Sequence, residues 1–452
     1  MNIQADRNKI LVESVKRLLR RDAVSHLRKI VNKTHAADLS SVFRAIPVSS
    51  QRKLFDLLDN INQKGALFSY LDKDIFLDLI EGIPIERVVD VLESMPTDDV
   101  ADLIASLPPE KSDAILLKMK KEGLEEVEGL LRYGDETAGG IMAPDFIALT
   151  QDMTAKESIE AIQKEHHDVE MAFYLYVVDE YGRLVGVSSL RQLVVAPPEK
   201  PLKDFMVTDV FSVQTGMDQE EVAKIVARYD LLAVPVVDDN NKLVGIVTVD
   251  DVIDIIKQEA TEDILKMAGA GYEFVENKSI IKSSRLRLPW LFASCMGGIV
   301  ASLIIAYFED SLQKMAYLAV FITVICGMGG NVGTQSATIV VRGLATGRIN
   351  IRELWKVVFK ELSTGFILGS IYGALIACVA QFRYGIATFA LSVGLAVICS
   401  MSAAGLIGSL VPMLLAKVNI DPAVATGPFV STTLDIISVS CYLFIATALV
   451  SQ

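Results

Sequence analysis

Five stretches without charge, each near the length a bilayer demands, constrain this 452-residue chain more than any other feature. After Arg287 they cover residues 288–308, 315–341, 362–382, 384–416 and 422–434, the last resuming at Ile436 and running to the end. The hydrocarbon core needs about 20 predominantly apolar residues per helix. The pattern therefore predicts five membrane-spanning helices, the fifth interrupted by Asp435 alone. A soluble helical core can be as apolar, but five such segments in succession are not its signature.

Charge divides the chain at the same place. Acidic residues number 56 against 43 basic, a net charge of −13. From Arg285 onward there are ten basic and six acidic residues, or +4, which leaves −17 on the first 284. An acidic soluble half is thus joined to an apolar, slightly basic one. The surplus of acid excludes a phosphate-reading nucleic-acid binder, and a composition that is 51% hydrophobic excludes a disordered polyampholyte. Five cysteines in a chain this long are too few for a disulfide scaffold. All five lie in the apolar half and all four histidines in the soluble half, so the soluble half cannot build a cysteine-based zinc site. His26, His35 and the pair His166–His167 lack metal-ligand spacing and read as surface residues. The start, MNIQADRNKI, has no apolar core of a signal peptide, so the soluble half is expected in the cytoplasm.

Basic residues in the short loops set the orientation. Lys282, Arg285 and Arg287 precede the first span. Arg342, Arg348, Arg352, Lys356 and Lys360 follow the second, whereas the loops after spans one and three hold only Lys314 and Arg383. Alternation puts the soluble half inside and the C-terminus outside, in a multi-pass protein of the cytoplasmic membrane.

Two spans carry chemistry. The second contains Cys-Gly-Met-Gly-Gly-Asn-Val-Gly-Thr-Gln at 326–335, in which Asn331 and Gln335 share one helical face. Glycines beside polar amides read either as a helix-packing seam or as a pore wall whose amide oxygens replace water around a cation. The fifth span places Asp435 near the middle of a helix running from about 423 to 449, with Pro428 upstream and Ser431, Thr432 and Thr433 adding hydroxyls. Proline inside that helix would free the carbonyl one turn earlier, near Val424. A carboxylate at bilayer depth costs at least about 2.5 kcal/mol on insertion scales and should face water, a partner or an ion. No Lys, Arg or His lies within the charge-free stretches to pair with it, which favours a cation site. Glu361, beside Lys360, reads as an interfacial residue. One carboxylate among neutral oxygens suits a hard cation, and Mg²⁺ keeps several of its waters and needs few protein charges. The scattered cysteines read as small packing residues.

The soluble half has two parts. Residues 1–135 are polar and helical in pattern, and Pro84, Pro96 and Pro108 recur every twelve residues, each opening an acid-rich helical turn. Short antiparallel helices in a superhelical stack are expected. Residues 136–198 and 199–257 contain two copies of one unit. Tyr174-Leu-Tyr-Val-Val-Asp and Ala233-Val-Pro-Val-Val-Asp align at an offset of 59, each followed by Leu-Val-Gly, and each copy opens with a methionine-headed segment, at Met142 and Met206. Strand, turn, strand and helix in tandem resemble a CBS pair, a regulatory module that often binds adenosine nucleotides. In such units a Thr/Ser-x-x-Asp element holds ribose hydroxyls. Thr248 and Asp251 match it, whereas Ser189 is followed by Gln192, so ATP is expected only weakly, with Tyr174, Arg191 and Thr248 as the candidate contacts. A connecting helix starting near 251 follows, with a linker through 258–284, dense in Asp251, Asp254, Glu259, Glu262 and Asp263 and broken by Gly269 and Gly271. Like charges four apart, as at Glu259 and Asp263, destabilise a helix slightly, and divalent cations would relieve that.

Taken together, an all-α superhelical domain, an α+β CBS pair, an acidic connecting helix and a five-helix transmembrane domain over 285–452 resemble the MgtE family of magnesium channels. The resemblance is carried by Leu-Arg-Tyr-Gly-Asp-Glu-Thr-Ala-Gly-Gly-Ile-Met at 131–142, Gly-Gly-Asn-Val-Gly-Thr-Gln-Ser-Ala-Thr at 329–338, and Asp421-Pro-Ala with Gly-Pro-Phe-Val-Ser-Thr-Thr-Leu-Asp435. It implies a homodimer whose pore is lined by spans two and five, with Asp435 attracting hydrated Mg²⁺. It also implies that intracellular Mg²⁺ shuts the pore by bridging acids of the soluble domains and the connecting "plug" helix. Matching positions are Asp98, Asp102, Asp218, Glu220, Asp230, Asp251, Asp254, Glu259, Glu262, Asp263 and Asp421. Gly427 stands where some members carry Asn. Readings as a channel for Mn²⁺, Co²⁺ or Ni²⁺, or as a membrane-anchored sensor without transport, stay open. No nucleophile–base constellation or phosphate loop points to an enzyme.

Overall fold

The computed structural model describes residues 3–165, 173–269, 280–425 and 427–450; His166, His167 and Gly271 lie outside them. The chain divides into two compact units, Met1–Lys257 and Gln258–Gln452.

The first unit opens with the helices α1 (Ile3–Arg20), α2 (Val24–Val31), α3 (Ala36–Arg44), α4 (Val48–Asp56) and α5 (Ile61–Ser69). Then come α6 (Lys73–Ile80), α7 (Ile85–Leu92), α8 (Thr97–Ala105), α9 (Pro109–Leu116) and α10 (Lys121–Leu130). Pro84, Pro96 and Pro108 cap α7, α8 and α9. Proline serves there because its missing N–H has no partner to lose at a helix start. Behind each proline the apolar residues turn inward, as Val88, Val89, Val91 and Leu92 do in α7. Packing joins each helix to the next but one: α3 to α5, α5 to α7, α7 to α9, and likewise α2 to α4 and α4 to α6. That alternation is a superhelical stack of short antiparallel helices. Phe55, Phe68 and Phe76 form a ring-to-ring column in its core, with centroids 5.1 and 5.0 Å apart.

The repeat follows as β1 (Ala148–Thr150), α11 (Ala155–Glu165), β2 (Tyr174–Val178), β3 (Leu184–Ser189) and α12 (Leu190–Val195), then β4 (Val213–Gln214), α13 (Gln219–Tyr229), β5 (Ala233–Val237), β6 (Leu243–Thr248) and α14 (Val249–Met267). Each copy is a three-stranded sheet with a parallel and an antiparallel pair. The registers coincide at the offset of 59: Tyr174 pairs with Ser189 and Ala233 with Thr248, and both sheets bulge at the fourth residue pair. Both hairpin turns are held by an Asp side chain accepting backbone N–H groups, Asp179 from Tyr181 and Arg183 and Asp238 from Asn240 and Lys242. Gly182 and Asn241, one offset apart, supply the left-handed residue at φ 77° and 61°.

The methionine-headed segments are exchanged, against the sequence grouping. Ala143 pairs with Ile246 of the second sheet, and Val207 with Val187 of the first. The glycines of the Leu-Val-Gly elements make room: a Cβ on Gly245 would fall 2.6 Å from the Met142 sulfur, and one on Gly186 2.5 Å from that of Met206. Each copy is completed by the other's opening residues, which fuses the pair.

The second unit holds the end of α14 and α15 (Ile280–Tyr307), α16 (Glu309–Lys314), α17 (Tyr317–Ala345), α18 (Leu354–Tyr384), α19 (Ala387–Lys417) and α20 (Pro428–Val450). Five of these, all but α14 and α16, are long and apolar enough to cross a membrane. α19 is central, packing on α17, α18 and α20, while α15 touches α20 and buries no residue of its own. Small residues permit this closeness: a side chain on Gly408 would overlap the Gly333 carbonyl, and one on Gly365 the Met401 carbonyl. The fifth helix begins one turn later than its apolar run. Residues Pro422–Ala425 form a 3₁₀ turn, and Pro428 is the first residue of α20, where it interrupts no helical hydrogen bond. The expected mid-helix break is therefore absent.

Candidate functional site

α17 and α20 pack antiparallel. A Cβ on Gly333 would overlap Leu434, and one on Gly329 would meet the hydroxyls of Ser400 and Ser438. The register follows: Asp435 lies level with Val332, one residue from Asn331. Ser400 Oγ and Ser438 Oγ, 2.6 Å apart and buried, lock α19 to α20 at this depth, and Ser400 also donates to the Ile325 carbonyl at 3.4 Å.

The two readings of the glycine-rich face separate by residue. Gly329, Val332, Gly333, Ser336 and Ala337 are buried and make the packing seam. Asn331, Thr334 and Gln335 are exposed, and a Cβ on Gly327 or Gly330 would meet nothing within 4 Å. The amides thus occupy the face that this chain leaves open. Asp435 is half-buried, and among the described residues no Lys, Arg or His lies within ion-pair distance of it. Upstream, Thr433 donates to the Phe429 carbonyl at 2.8 Å, Thr432 to the same carbonyl at 3.2 Å, and Ser431 to that of Gly427 at 3.4 Å. A hydroxyl is a neutral oxygen donor of the kind that suits a hard cation. Thr432 also meets α15 at Gly297.

Glu361 departs from the sequence expectation of an interfacial side chain. It is buried at 6% exposure, and Ser336 Oγ donates to its Oε2 at 2.9 Å. Helical phase turns the side chain of residue 361 inward although Lys360 points out.

At the start of α20 the end of α14 makes a close contact. Lys266 Nζ donates to Asp421 Oδ2 at 2.7 Å and pairs with Glu262. Burial opposes its charge, but the hydrogen bonds and fields of Asp421 and Glu262 outweigh that and raise the ammonium pKa. Gly427 lies against the Met267 carbonyl, which a Cβ would approach to 2.8 Å. An ammonium therefore bridges the two carboxylates, and glycine at 427 lets the helix end sit on the backbone. Lys266 was not singled out in the sequence; its spacing of four from Glu262 was the available signal.

In the first unit Asp98 and Asp102 lie on α8 and Asp251 at the start of α14. Asp102 and Asp251 are both pushed up to about 6, first by burial, then in Asp102 by the charge of Asp99 and in Asp251 by those of Asp250 and Asp99, against a hydrogen bond from Thr248. Asp99, which the sequence reading passed over, is raised by burial too, while accepting from Ser69 Oγ at 2.7 Å. The remaining acids serve local roles. Asp218 caps α13 by accepting from Glu220 N, Glu220 pairs with Lys224, Asp230 ends α13 at φ 53°, and Asp254 pairs with Lys257. Glu259 and Asp263 lie on the acidic run of α14. Among the described residues no three His, Cys, Asp or Glu converge to hold a metal ion.

The three candidate nucleotide contacts line three separate cavities. Tyr174 lines one of about 110 Å³ with Phe211 and Pro235, Thr248 one of about 500 Å³ with Asp98 and Asp145, and Arg191 one of about 570 Å³ with Lys200 and Phe205. Gln192 closes a capping box with Ser189 at the head of α12, where Thr248 and Asp251 form the matching pair at α14.

Comparison with known proteins agrees with this layout. Residues 34–136 match the model of the MgtE intracellular N domain, 138–199 and 202–258 the CBS domain, and 322–445 the MgtE divalent cation transporter model. The magnesium transporter MgtE of Bacillus subtilis is 32% identical over 433 residues, 96% of each chain, and that of Thermus thermophilus is 38% identical over 331 residues, 72% of each. A crystal structure of the cytosolic domain of the Mg²⁺ channel MgtE in complex with ATP covers 54% of this chain and 99% of its own, at 34% identity and a TM-score of 0.52. The protein belongs to the MgtE family of divalent cation transporters.

Proposed function

We propose that this protein carries Mg²⁺ into the cell through a pore built on α17 and α20, as a transporter and not an enzyme. The observation that carries the reading is Asp435: a carboxylate on a membrane-spanning helix, without a basic partner among the described residues and level with Asn331. Its lone charge attracts a divalent ion, and neutral oxygens from Ser431, Thr432, Asn331 and Gln335 suit an ion that keeps its inner waters. A relative named a magnesium transporter that matches 96% of the chain, with another that matches 72%, favours Mg²⁺ over Mn²⁺, Co²⁺ or Ni²⁺. The open amide face of α17 and the unburied α15 favour a second copy completing the pore as a homodimer.

Regulation belongs to the same proposal. The acids named above, from Asp98 to Asp421, repel one another when Mg²⁺ is scarce, and filling of many weak sites favours the closed form. Ions that keep their waters act through such a field without a tight ligand trio. The Lys266–Asp421 bond supports a reading in which the end of α14 and the α19–α20 loop share one side of the membrane, in keeping with five alternating spans. Loop basicity favours the cytoplasm for that side, which would leave the C-terminus outside. Mg²⁺ flux into liposomes holding the purified protein, with internal Mg²⁺ varied, tests both halves: uptake that falls as internal Mg²⁺ rises supports them, and no flux refutes the first.

ATP binding is a second reading, favoured by the ATP complex of the cytosolic domain at 34% identity. The cavity of about 570 Å³ suits a nucleotide in size, with Arg191 and Lys200 as phosphate contacts and Phe205 as an apolar wall. Calorimetric titration with ATP, on the wild type and on Arg191→Ala, decides it.

A further inference from the structure

We propose that Glu361 is a positioning residue for the pore helix α17: it sets the rotation of that helix, and so the direction of Asn331 and Gln335, without touching the ion. The inference rests on the transport reading above. Glu361 is a carboxyl group that the proposed ion path does not use, buried in the membrane unit. Its partner, Ser336, is 4% exposed and donates to Oε2 at 2.9 Å. Ser336 directly follows Gln335 on α17, about 100° around the helix at 3.6 residues per turn. Holding Ser336 inward therefore holds Gln335, and Asn331 one turn away, on the exposed face.

The anchor is itself rigid. A side chain on Gly405 of α19 would overlap the Glu361 carbonyl oxygen, and the neighbouring Gly365 and Gly369 bring α18 against the backbone of Met401 and Ile398. α18 and α19 thus meet backbone to backbone where Glu361 leaves for α17. On the far side, Gly333 receives Leu434, the residue before Asp435. The Ser336–Glu361 bond ties α17 to the rigid α18–α19 pair level with the polar face, while Ser400 and Tyr442 hold the backbone of α17 nearer its start, at the Ile325 and Leu318 carbonyls. Among the described residues no Lys, Arg or His lies within ion-pair distance of Glu361, so what it offers α17 is an acceptor.

The test uses the full chain in proteoliposomes loaded with a Mg²⁺-sensitive dye. Uptake against external Mg²⁺ is recorded for Glu361→Gln, Glu361→Ala, Ser336→Ala and the double alanine variant. In parallel, the rate of maleimide labelling at Gln335→Cys is measured in each background, above that of the five native cysteines. Glutamine keeps an oxygen acceptor and should stay within about twofold of wild type in half-saturating Mg²⁺ and in labelling rate. Either single alanine should raise the half-saturating concentration and change the labelling rate by about tenfold, in line with a lost buried hydrogen bond, and the double variant should be no worse than either. A glutamine variant as impaired as alanine with labelling unchanged would put the charge of Glu361 on the ion path and overturn the proposal. Alanine variants equal to wild type overturn it as well. Should Glu361→Ala not yield a folded protein, Ser336→Ala, which removes one oxygen, carries the same prediction. A wild type without flux defeats the transport reading alone, since labelling still decides whether Glu361 orients α17.

Discussion

Replacing Lys266 by methionine keeps most of the side chain's volume and removes the one charge between Glu262 and Asp421. Lys266, Glu262 and Asp421 retain 30%, 22% and 35% of their side-chain exposure, so this bridge is neither buried nor on the surface. Charged hydrogen bonds are worth about 1.5–3 kcal/mol when buried, and exposed ion pairs about 0.2–1 kcal/mol. Two bonds at intermediate exposure contribute together about 2 kcal/mol, roughly a 30-fold change in an equilibrium constant. The variant also leaves two carboxylates facing each other, which adds to the loss in the same direction. If the end of α14 holds the cytoplasmic mouth shut, the internal Mg²⁺ that half-inhibits uptake into proteoliposomes should rise by about that factor. Lys266→Arg, which keeps the charge, should move it far less. An inhibition curve for Lys266→Met that coincides with wild type, or shifts to lower Mg²⁺, refutes the assignment of this contact to the closed state.

Other outcomes follow from the same structure. Asp435→Ala should abolish Mg²⁺ uptake and leave the size-exclusion profile unchanged; undiminished flux would remove Asp435 from the pore. Gly427→Asn places a side chain against the Met267 carbonyl, so it should displace the end of α14 and raise uptake at inhibiting internal Mg²⁺. Asp102 and Asp251 titrate near 6 in the folded protein, above their ordinary carboxylate value. The stability gained from their protonation is therefore present at low pH and lost as pH rises through about 6. In EDTA the soluble half should resist protease better at pH 5 than at pH 7, with millimolar Mg²⁺ restoring resistance at pH 7. Equal digestion under all three conditions would leave the acids without a gating role.

Much of the architecture was legible from residue order because its signals are local. Proline at every twelfth position announced helix starts, and those helices begin at 85, 97 and 109. The offset of 59 predicted two copies of one strand–turn–strand unit, and the structure adds a shared register and a left-handed residue at both 182 and 241. The site was legible less evenly. Asp435 stood out because a lone acid in an apolar run is costly whatever its neighbours. Glu361 did not, because a charged residue at the end of a span can point to water or to a partner helix, and one helical step decides which. The exchange of the Met142 and Met206 segments was invisible for a related reason: strand addition is set by which sheet edge is open, and both edges belong to nearly identical repeats.

What this sequence determined by itself is the inventory: five apolar helices, a doubled strand–turn–strand unit, an acidic surplus confined to the first 284 residues, and one carboxylate that interrupts the last apolar run. Each follows from composition and period, which need no knowledge of what lies across a contact. The tertiary structure decided the partners. It assigned Gly329 and Gly333 to packing and Asn331 and Gln335 to the open face, gave Ser336 to Glu361, and set Lys266 between Glu262 and Asp421. Those pairings depend on helix rotation and depth, and residues far apart in the chain acquire both only when the helices pack.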